Sequence, residues 1–254
     1  VLRDCPVFES SLEEYCDYVR AVERFDGDCD VAKARAAPRC YVNGLTVFSL
    51  DASLRADVES VPPWVADDSI ALFKAWEQRV ALSLKIPLKP DIDAQLEERH
   101  WSLTKLFVAP PGAITRLHYD NGSAHAWLSM VKGRKLFVCF APDDSKYLHP
   151  VPGDDGVDLN NSDIDPLNPD HDAFPNYKHA TPLVCVLEEG ETLFAPKGTW
   201  HYAISLDATI MVMRNFWSAN TNGQDWLRDQ KTHFENRVRA IKAAQQLARD
   251  HIAK

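Results

Sequence analysis

The chain has 254 residues, 45% hydrophobic and 26% charged, which are ordinary globular values and enough to bury a sizeable core. Its net charge of -9 argues against broad binding to nucleic acid or anionic membrane, and suits basic partners such as Lys/Arg-rich peptides. No run reaches the roughly 18 apolar residues of a membrane span, and the opening residues do not read as a signal peptide, so an intracellular protein, cytoplasmic or nuclear, is expected.

Ser10 and Ser11 ahead of Glu13 and Glu14 form a capping-box pattern that predicts a helix to about Val22. A polar, Ala-rich stretch follows, then Cys40-Tyr41-Val42-Asn43-Gly44 and Leu45-Thr46-Val47-Phe48, read as a turn and a strand. Pro62-Pro63 breaks the chain. Asp67-Asp68-Ser69 caps a second helix whose buried face is Ile70, Phe73, Trp76 (or Glu77), Val80 and Leu84, ended by Pro87 and Pro90. Six cysteines (Cys5, Cys16, Cys29, Cys40, Cys139, Cys185) include no Cys-x-x-Cys and no His at zinc spacing, so reduced thiols are expected.

From Trp101 to Trp217 the pattern changes to short apolar runs between turn signals. Strands are predicted over 103–109, 114–119, 126–131, 135–140, 183–187, 192–195, 201–205 and 209–216. Eight such strands make the chain mainly β, a sandwich or barrel rather than alternating α/β. The polar stretch 143–180 between the fourth and fifth is long enough to be a functional loop or lid. After Trp217, residues Phe234, Val238, Ile241, Gln245, Ala248 and Ile252 step by four and three. That helix either packs on its own domain or forms a homodimer. The chain therefore divides into an α/β flank (1–100), a β core (101–217) and a C-terminal helix (218–254).

Chemistry concentrates in His118-Tyr119-Asp120 and the distant Trp200-His201-Tyr202. Two imidazoles and a carboxylate hold non-haem Fe(II) on one face and leave positions open, two for a 2-oxo acid and one for dioxygen. With nine His and 25 Asp in the chain, chance alone supplies roughly one His-x-Asp, so the pair needs its surroundings. In a strand, residues i and i+2 share a face, so His118 and Asp120 can bind one metal. His201 follows the turn Ala195-Pro196-Lys197-Gly198-Thr199, where a barrel mouth would be. Lys135 could supply a cation for a second carboxylate, or be a solvated strand end. Thr115 could supply a hydroxyl, or be a plain β-branched strand residue.

The surroundings carry a resemblance. They are Thr115-Arg116-Leu117-His118-Tyr119-Asp120, Val131-Lys132-Gly133-Arg134-Lys135, Phe174-Pro175-Asn176-Tyr177, Glu189-Gly190-Glu191-Thr192-Leu193-Phe194-Ala195-Pro196, Thr199-Trp200-His201 and Asn215-Phe216-Trp217. Over 101–217 the chain resembles the JmjC/cupin-type 2-oxoglutarate- and Fe(II)-dependent oxygenases, especially the hydroxylase branch that includes the asparaginyl hydroxylase called factor inhibiting HIF. The resemblance implies a double-stranded β-helix, the cupin/JmjC jelly roll, with Fe(II) on His118, Asp120 and His201. It implies Thr115 and Lys135 on the distal carboxylate of 2-oxoglutarate, and Asn215 as a polar contact near the metal-binding end.

Two departures stand out. The family places an Asn on the strand after the His-x-Asp, but this chain has Ser123-Ala124-His125-Ala126-Trp127 and an interval to Lys135 about two residues longer. His125 either replaces the Asn or is structural. Several members use an upstream Tyr on the distal carboxylate, yet none lies between Tyr41 and Tyr119. Lys105, on the face of Leu103 and Phe107, projects either into the site instead or into solvent. His100, His149, His171, His179, His233 and His251 are read as chemically silent, and Trp127, Trp200 and Trp217 as core. The expected activity is hydroxylation of a protein or peptide side chain, with 2-oxoglutarate converted to succinate. A lysine demethylase, a small-molecule or nucleoside hydroxylase, and a metal-binding cupin without turnover are the alternatives.

Overall fold

The protein's structure, a computed structural model, describes residues 8–28, 39–58, 65–153 and 158–252. Cys5, Cys29 and Pro62-Pro63 lie outside the described residues, as do the side chains of Ala248 and Ile252. Cys16, Cys40, Cys139 and Cys185 are free thiols.

Helix α1 (Leu12–Asp28) starts at the capping box: Glu14 N donates to Ser11 Oγ at 3.2 Å, and Ser11 N donates back to the Glu14 carboxylate at 2.8 Å. It continues past Val22 and buries Tyr15, Val19 and Val22, one face at helical spacing. Strand β1 (Val42–Leu45) starts three residues before the expected strand, within the stretch read as a turn. A bulge at Gly44 (φ 84°) precedes its last pair, Leu45 with Leu106, and Val47–Leu50 coils into a helical turn, α2, that buries Phe48.

The β core comprises β2 (Thr104–Ala109), β3 (Ile114–His118), β4 (His125–Lys132), β5 (Lys135–Phe140), β8 (Leu183–Leu187), β9 (Thr192–Ala195), β10 (Trp200–Ser205) and β11 (Thr209–Phe216). One sheet has the order β1-β2-β11-β4-β9. The other is β6-β7-β3-β10-β5-β8, in which β6 (Pro150–Pro152) and β7 (Asp158–Ser162) come from the insertion. The chain alternates between sheets, with β5 and β8 the one sequential pair of the eight that shares a sheet, which is the jelly-roll order of a double-stranded β-helix.

Between the sheets lie Ala126, Leu128, Met130, Phe137, Leu187, Ala195, Ala203, Met211 and Met213. The outer face of the second sheet is also apolar: Leu117, Val138, Phe140, Trp200 and Tyr202 pack with Leu148 and Ile164 of the insertion. The insertion is thus structured rather than a plain loop. It fills a face and extends the sheet.

Contacts group the described residues into two units, one within Val1–Glu59, Trp101–Asn121 and His125–Asn215, the other within Ser60–His100, Gly122–Ala124 and Phe216–Lys254. The second unit is helical. Helix α3 (Ser69–Leu84) begins with Ser69 N donating to Asp67 Oδ1 at 3.0 Å and buries Leu72, Phe73, Trp76 and Ala81. Ile70 and Leu84 stay exposed, so its buried face is rotated from the expected one. A further helix, α4 (Ile92–Ser102), was not anticipated beyond Pro90. The last, α5 (Gly223–Ile252), packs Trp226 on Phe73 (ring centroids 5.2 Å) and Phe234 edge-on to Trp76 (6.1 Å). The seam then leaves the unit: Ile241 is 56% exposed. Among the described residues no helix is long and apolar enough to cross a membrane.

Candidate metal centre

Strands β3 and β10 are neighbours in register, with His118 opposite His201. Asp120 follows β3 rather than lying in it. One ligand atom from each of His118, Asp120 and His201 lies within 4.8 Å of the others, the one such cluster of three among the described residues. His118 Nε2 is 3.9 Å from Asp120 Oδ1, and the imidazole centroids are 4.3 Å apart.

Each potential ligand is held by an atom that does not compete for the metal. His118 Nδ1 is 2.8 Å from the Arg116 carbonyl oxygen and His201 Nδ1 is 3.1 Å from that of Thr199. A carbonyl only accepts, so Nδ1 carries the proton on both rings and Nε2 is left with a free lone pair. Asn215 Nδ2 donates to Asp120 Oδ2 at 2.9 Å, leaving Oδ1 toward the histidines. Burial, then the neighbouring His201, holds His118 well below the usual imidazole range, so it is neutral near pH 7 as a metal ligand must be. This donor set fits a divalent metal of the iron type.

Thr115 reaches the same face through a bulge. Two residues on β10, His201 to Ala203, span three on β3, His118 to Thr115. Without the extra residue, an odd spacing of three would put Thr115 and His118 on opposite faces. Ala203 points inward, and Thr115 is its partner.

Lys135 starts β5 opposite Ser205, four residues from the Cys139–His201 pair, about 13 Å along the strand at ~3.3 Å per residue. The turn before it requires glycine: Gly133 has φ 76°, and a Cβ there would overlap the Ala208 carbonyl oxygen. Lys135 is 2% exposed, and its ammonium donates to the Tyr41 hydroxyl at 2.9 Å while lying 4.8 Å over the same ring. Burial lowers Lys135 to about 8 and raises Tyr41 to about 12, and the Tyr41 hydroxyl also interacts with Thr115. No carboxylate pairs with this ammonium among the described residues.

Tyr41 is therefore the aromatic hydroxyl that sequence reasoning missed. It lies 94 residues before Lys135 and enters through the edge strand β1. Tyr41, rather than Lys105, is the side chain whose hydroxyl meets the Lys135 ammonium. Lys105 still faces inward, because its partner across the ladder, Met213, lies between the sheets.

Of the two readings of His125, its surroundings match the structural one. On β4 the inward side chains are Ala126, Leu128 and Met130, so His125 points the other way. Its Nδ1 accepts from Lys197 N at 2.9 Å, and its ring is 5.5 Å from Phe194. In the turn before β4, Gly122 and Ser123 have positive φ. The Gly122 carbonyl accepts from Trp217 Nε1 and the Ser123 carbonyl from Asn222. Cys139 also faces inward beside His201, but burial pushes its thiol up to about 12, so it offers no thiolate near neutral pH.

Trp200 is fully buried and donates to Ser145 Oγ at 2.7 Å, and Trp127 faces the Arg214 guanidinium at 5.8 Å. Both belong to the packing, as expected. The insertion also holds the metal strand: Tyr119 N donates to the Asn160 carbonyl at 2.9 Å, and the Asn160 amide donates to the Tyr119 carbonyl. Both backbone groups of the residue between His118 and Asp120 are thereby fixed.

A model of the Cupin-like domain family matches residues 8–222. The chain is 34% identical over 106 residues to JmjC domain-containing protein D of Dictyostelium discoideum, covering 42% of this chain and 23% of that protein. It is 32% identical over 108 residues to lysine-specific demethylase 8 of Xenopus tropicalis, covering 42% and 23%. With HSPB1-associated protein 1 of Homo sapiens it shares 31% over 121 residues, covering 47% and 24%. The aligned stretch is less than a quarter of the length of each of these relatives.

Proposed function

The chain belongs to the cupin-like domain family, and on that premise we propose that it is a 2-oxoglutarate- and Fe(II)-dependent oxygenase that hydroxylates a protein side chain. The observation that carries this reading is Lys135: a cation 2% exposed, inside a barrel, with a tyrosine hydroxyl but no carboxylate partner among the described residues. Burying an ammonium without a counter-ion is costly, so such a site suits an anion that arrives from outside. A bare metal site needs no such group.

His118, Asp120 and His201 would hold the metal, with Asn215 fixing which Asp120 oxygen is presented. Lys135, Tyr41 and Thr115 would bind the distal carboxylate, and the apolar residues between the sheets would keep water from the reacting end. Iron with 2-oxoglutarate and dioxygen supplies the oxidative decarboxylation to succinate that is coupled to C–H hydroxylation. The protein contributes carboxylate recognition, orientation and exclusion of water.

A basic peptide substrate is supported by the net charge of -9 and by nine Asp between positions 143 and 172. The names of several relatives favour a second reading, demethylation of lysine or arginine. Hydroxylating an N-methyl group is the same chemistry and releases formaldehyde. The reported relatives do not single out the asparaginyl-hydroxylase branch. Free Cys16, Cys40, Cys139 and Cys185 support an intracellular setting.

The test is anaerobic Fe(II) titration with and without 2-oxoglutarate, then a succinate-release screen over methylated and unmethylated peptides, amino acids and nucleosides. A charge-transfer band on adding the 2-oxo acid, and a product heavier by one oxygen, are expected; formaldehyde would select demethylation. Metal binding with no such band, and no effect of replacing Lys135, would leave a cupin without turnover.

A further inference from the structure

The barrel holds a second inward cation, Lys105, on β2. It is paired across the ladder with Met213, two residues from the Asn215 that holds Asp120, while Phe107, two residues deeper, lies under the Lys135 ammonium at 5.9 Å. Lys105 thus stands between the distal end of the barrel and its metal end. Lys105 Cδ would be 3.4 Å, and the Phe107 ring 3.7 Å, from a Cβ placed on Gly44, so the stem of Lys105 and the ring lie against the same glycine. The residue is half-buried and its ammonium has no hydrogen-bonding or ionic partner among the described residues.

The opposing strand offers nothing polar at this level. Inward positions on β4 are Ala126, Leu128 and Met130, and His125 faces away. A 2-oxo dianion held at its far end by Lys135 would bring its other carboxylate, the one on the keto carbon, to the metal end without any amide from β4. We propose that Lys105 binds this second carboxylate, so that the chain uses one ammonium for each end of the co-substrate. The inference rests on the oxygenase reading.

It is tested with the full chain loaded with Mn(II), by calorimetric titration of 2-oxoglutarate and of 2-oxopentanoate, which keeps the keto-acid end and lacks the distal carboxylate. Lys105→Met should weaken both ligands by about 10- to 100-fold, the loss of one charge-assisted hydrogen bond, and Lys105→Arg should restore most of it. Lys135→Met should weaken 2-oxoglutarate alone. Lys105→Gln serves as the second variant if Lys105→Met does not fold, with the melting temperature and Mn(II) affinity as controls. Unchanged affinity for both ligands in Lys105→Met, with 2-oxoglutarate weakened in Lys135→Met, would overturn the role of Lys105 and leave the pocket standing. Loss confined to 2-oxoglutarate in Lys105→Met would move Lys105 to the distal carboxylate and also overturn it. If Lys135→Met leaves 2-oxoglutarate unaffected, the oxygenase reading itself fails.

Discussion

The two ends of the barrel interior are prepared in opposite ways. At the end that holds His118, Asp120 and His201, one polar atom of each has a neutral partner: backbone carbonyls orient both imidazoles and an amide holds the spare oxygen of Asp120. At the other end a cation is buried with a phenol and, among the described residues, no anion. The first arrangement holds its three side chains in place and leaves one donor atom of each facing the others. The second carries an electrostatic cost that a ligand would remove. One end is built for rigidity and the other for recognition, and substitutions should separate them.

The largest effect is expected at the metal end. His118→Ala or His201→Ala should abolish measurable metal binding by calorimetry and all succinate formation, while far-UV circular dichroism stays native. Normal turnover in either variant would remove the metal assignment.

Lys135→Met should do the reverse, leaving metal affinity intact and lowering 2-oxoglutarate affinity by about 100-fold, since a buried charged partner is worth ~2–5 kcal/mol. Lowering Lys135 from 10.5 to about 8 corresponds to about 3 kcal/mol against burying the charged form. The variant should therefore be at least as stable to denaturant as the parent. A marked loss of stability would mean that the ammonium has a partner in the folded state.

Asn215→Leu tests whether the metal end depends on its supporting amide. Losing a hydrogen-bond partner of a ligand typically costs roughly 10- to 100-fold in metal affinity or activity. An unchanged affinity would show that Asp120 is held by its backbone alone.

The smallest effect is the pH dependence. Below about pH 8 Lys135 is charged in both folded and unfolded chains, so the full cost of its burial is present. Between about 8 and 10.5 the folded state releases its proton first, and stability contributed by this group rises. Affinity for 2-oxoglutarate should move the other way, level below about pH 8 and falling by up to about tenfold per pH unit above it. A profile that does not flatten in Lys135→Met would place the titrating group elsewhere.

The β core was legible because its strands are β-branched and aromatic runs between Gly turns. Four of the eight, 135–140, 183–187, 192–195 and 209–216, have the expected limits. Strand β7, Asp-Leu-Asn-Asn-Ser, has no such signal; it is extended because it lies against the edge of β3. The grouping of His118, Asp120 and His201 was legible from type and spacing, although Asp120 arrives from a loop. Thr115 reaches its face through a bulge that alternation alone does not predict. Tyr41 was hidden because only the pairing of β1 with β2 brings it in. His125 stayed open between two roles because the longer interval hid which residues of β4 face inward, and one position changes the face.

The pairing of β7 with β3 also bears on aggregation. Without it, β3 would be an outer strand with unpaired N–H and C=O groups beside the metal ligands, a template for adding a strand from another molecule. Shortening the insertion to enlarge the site should therefore yield a chain that self-associates edge to edge.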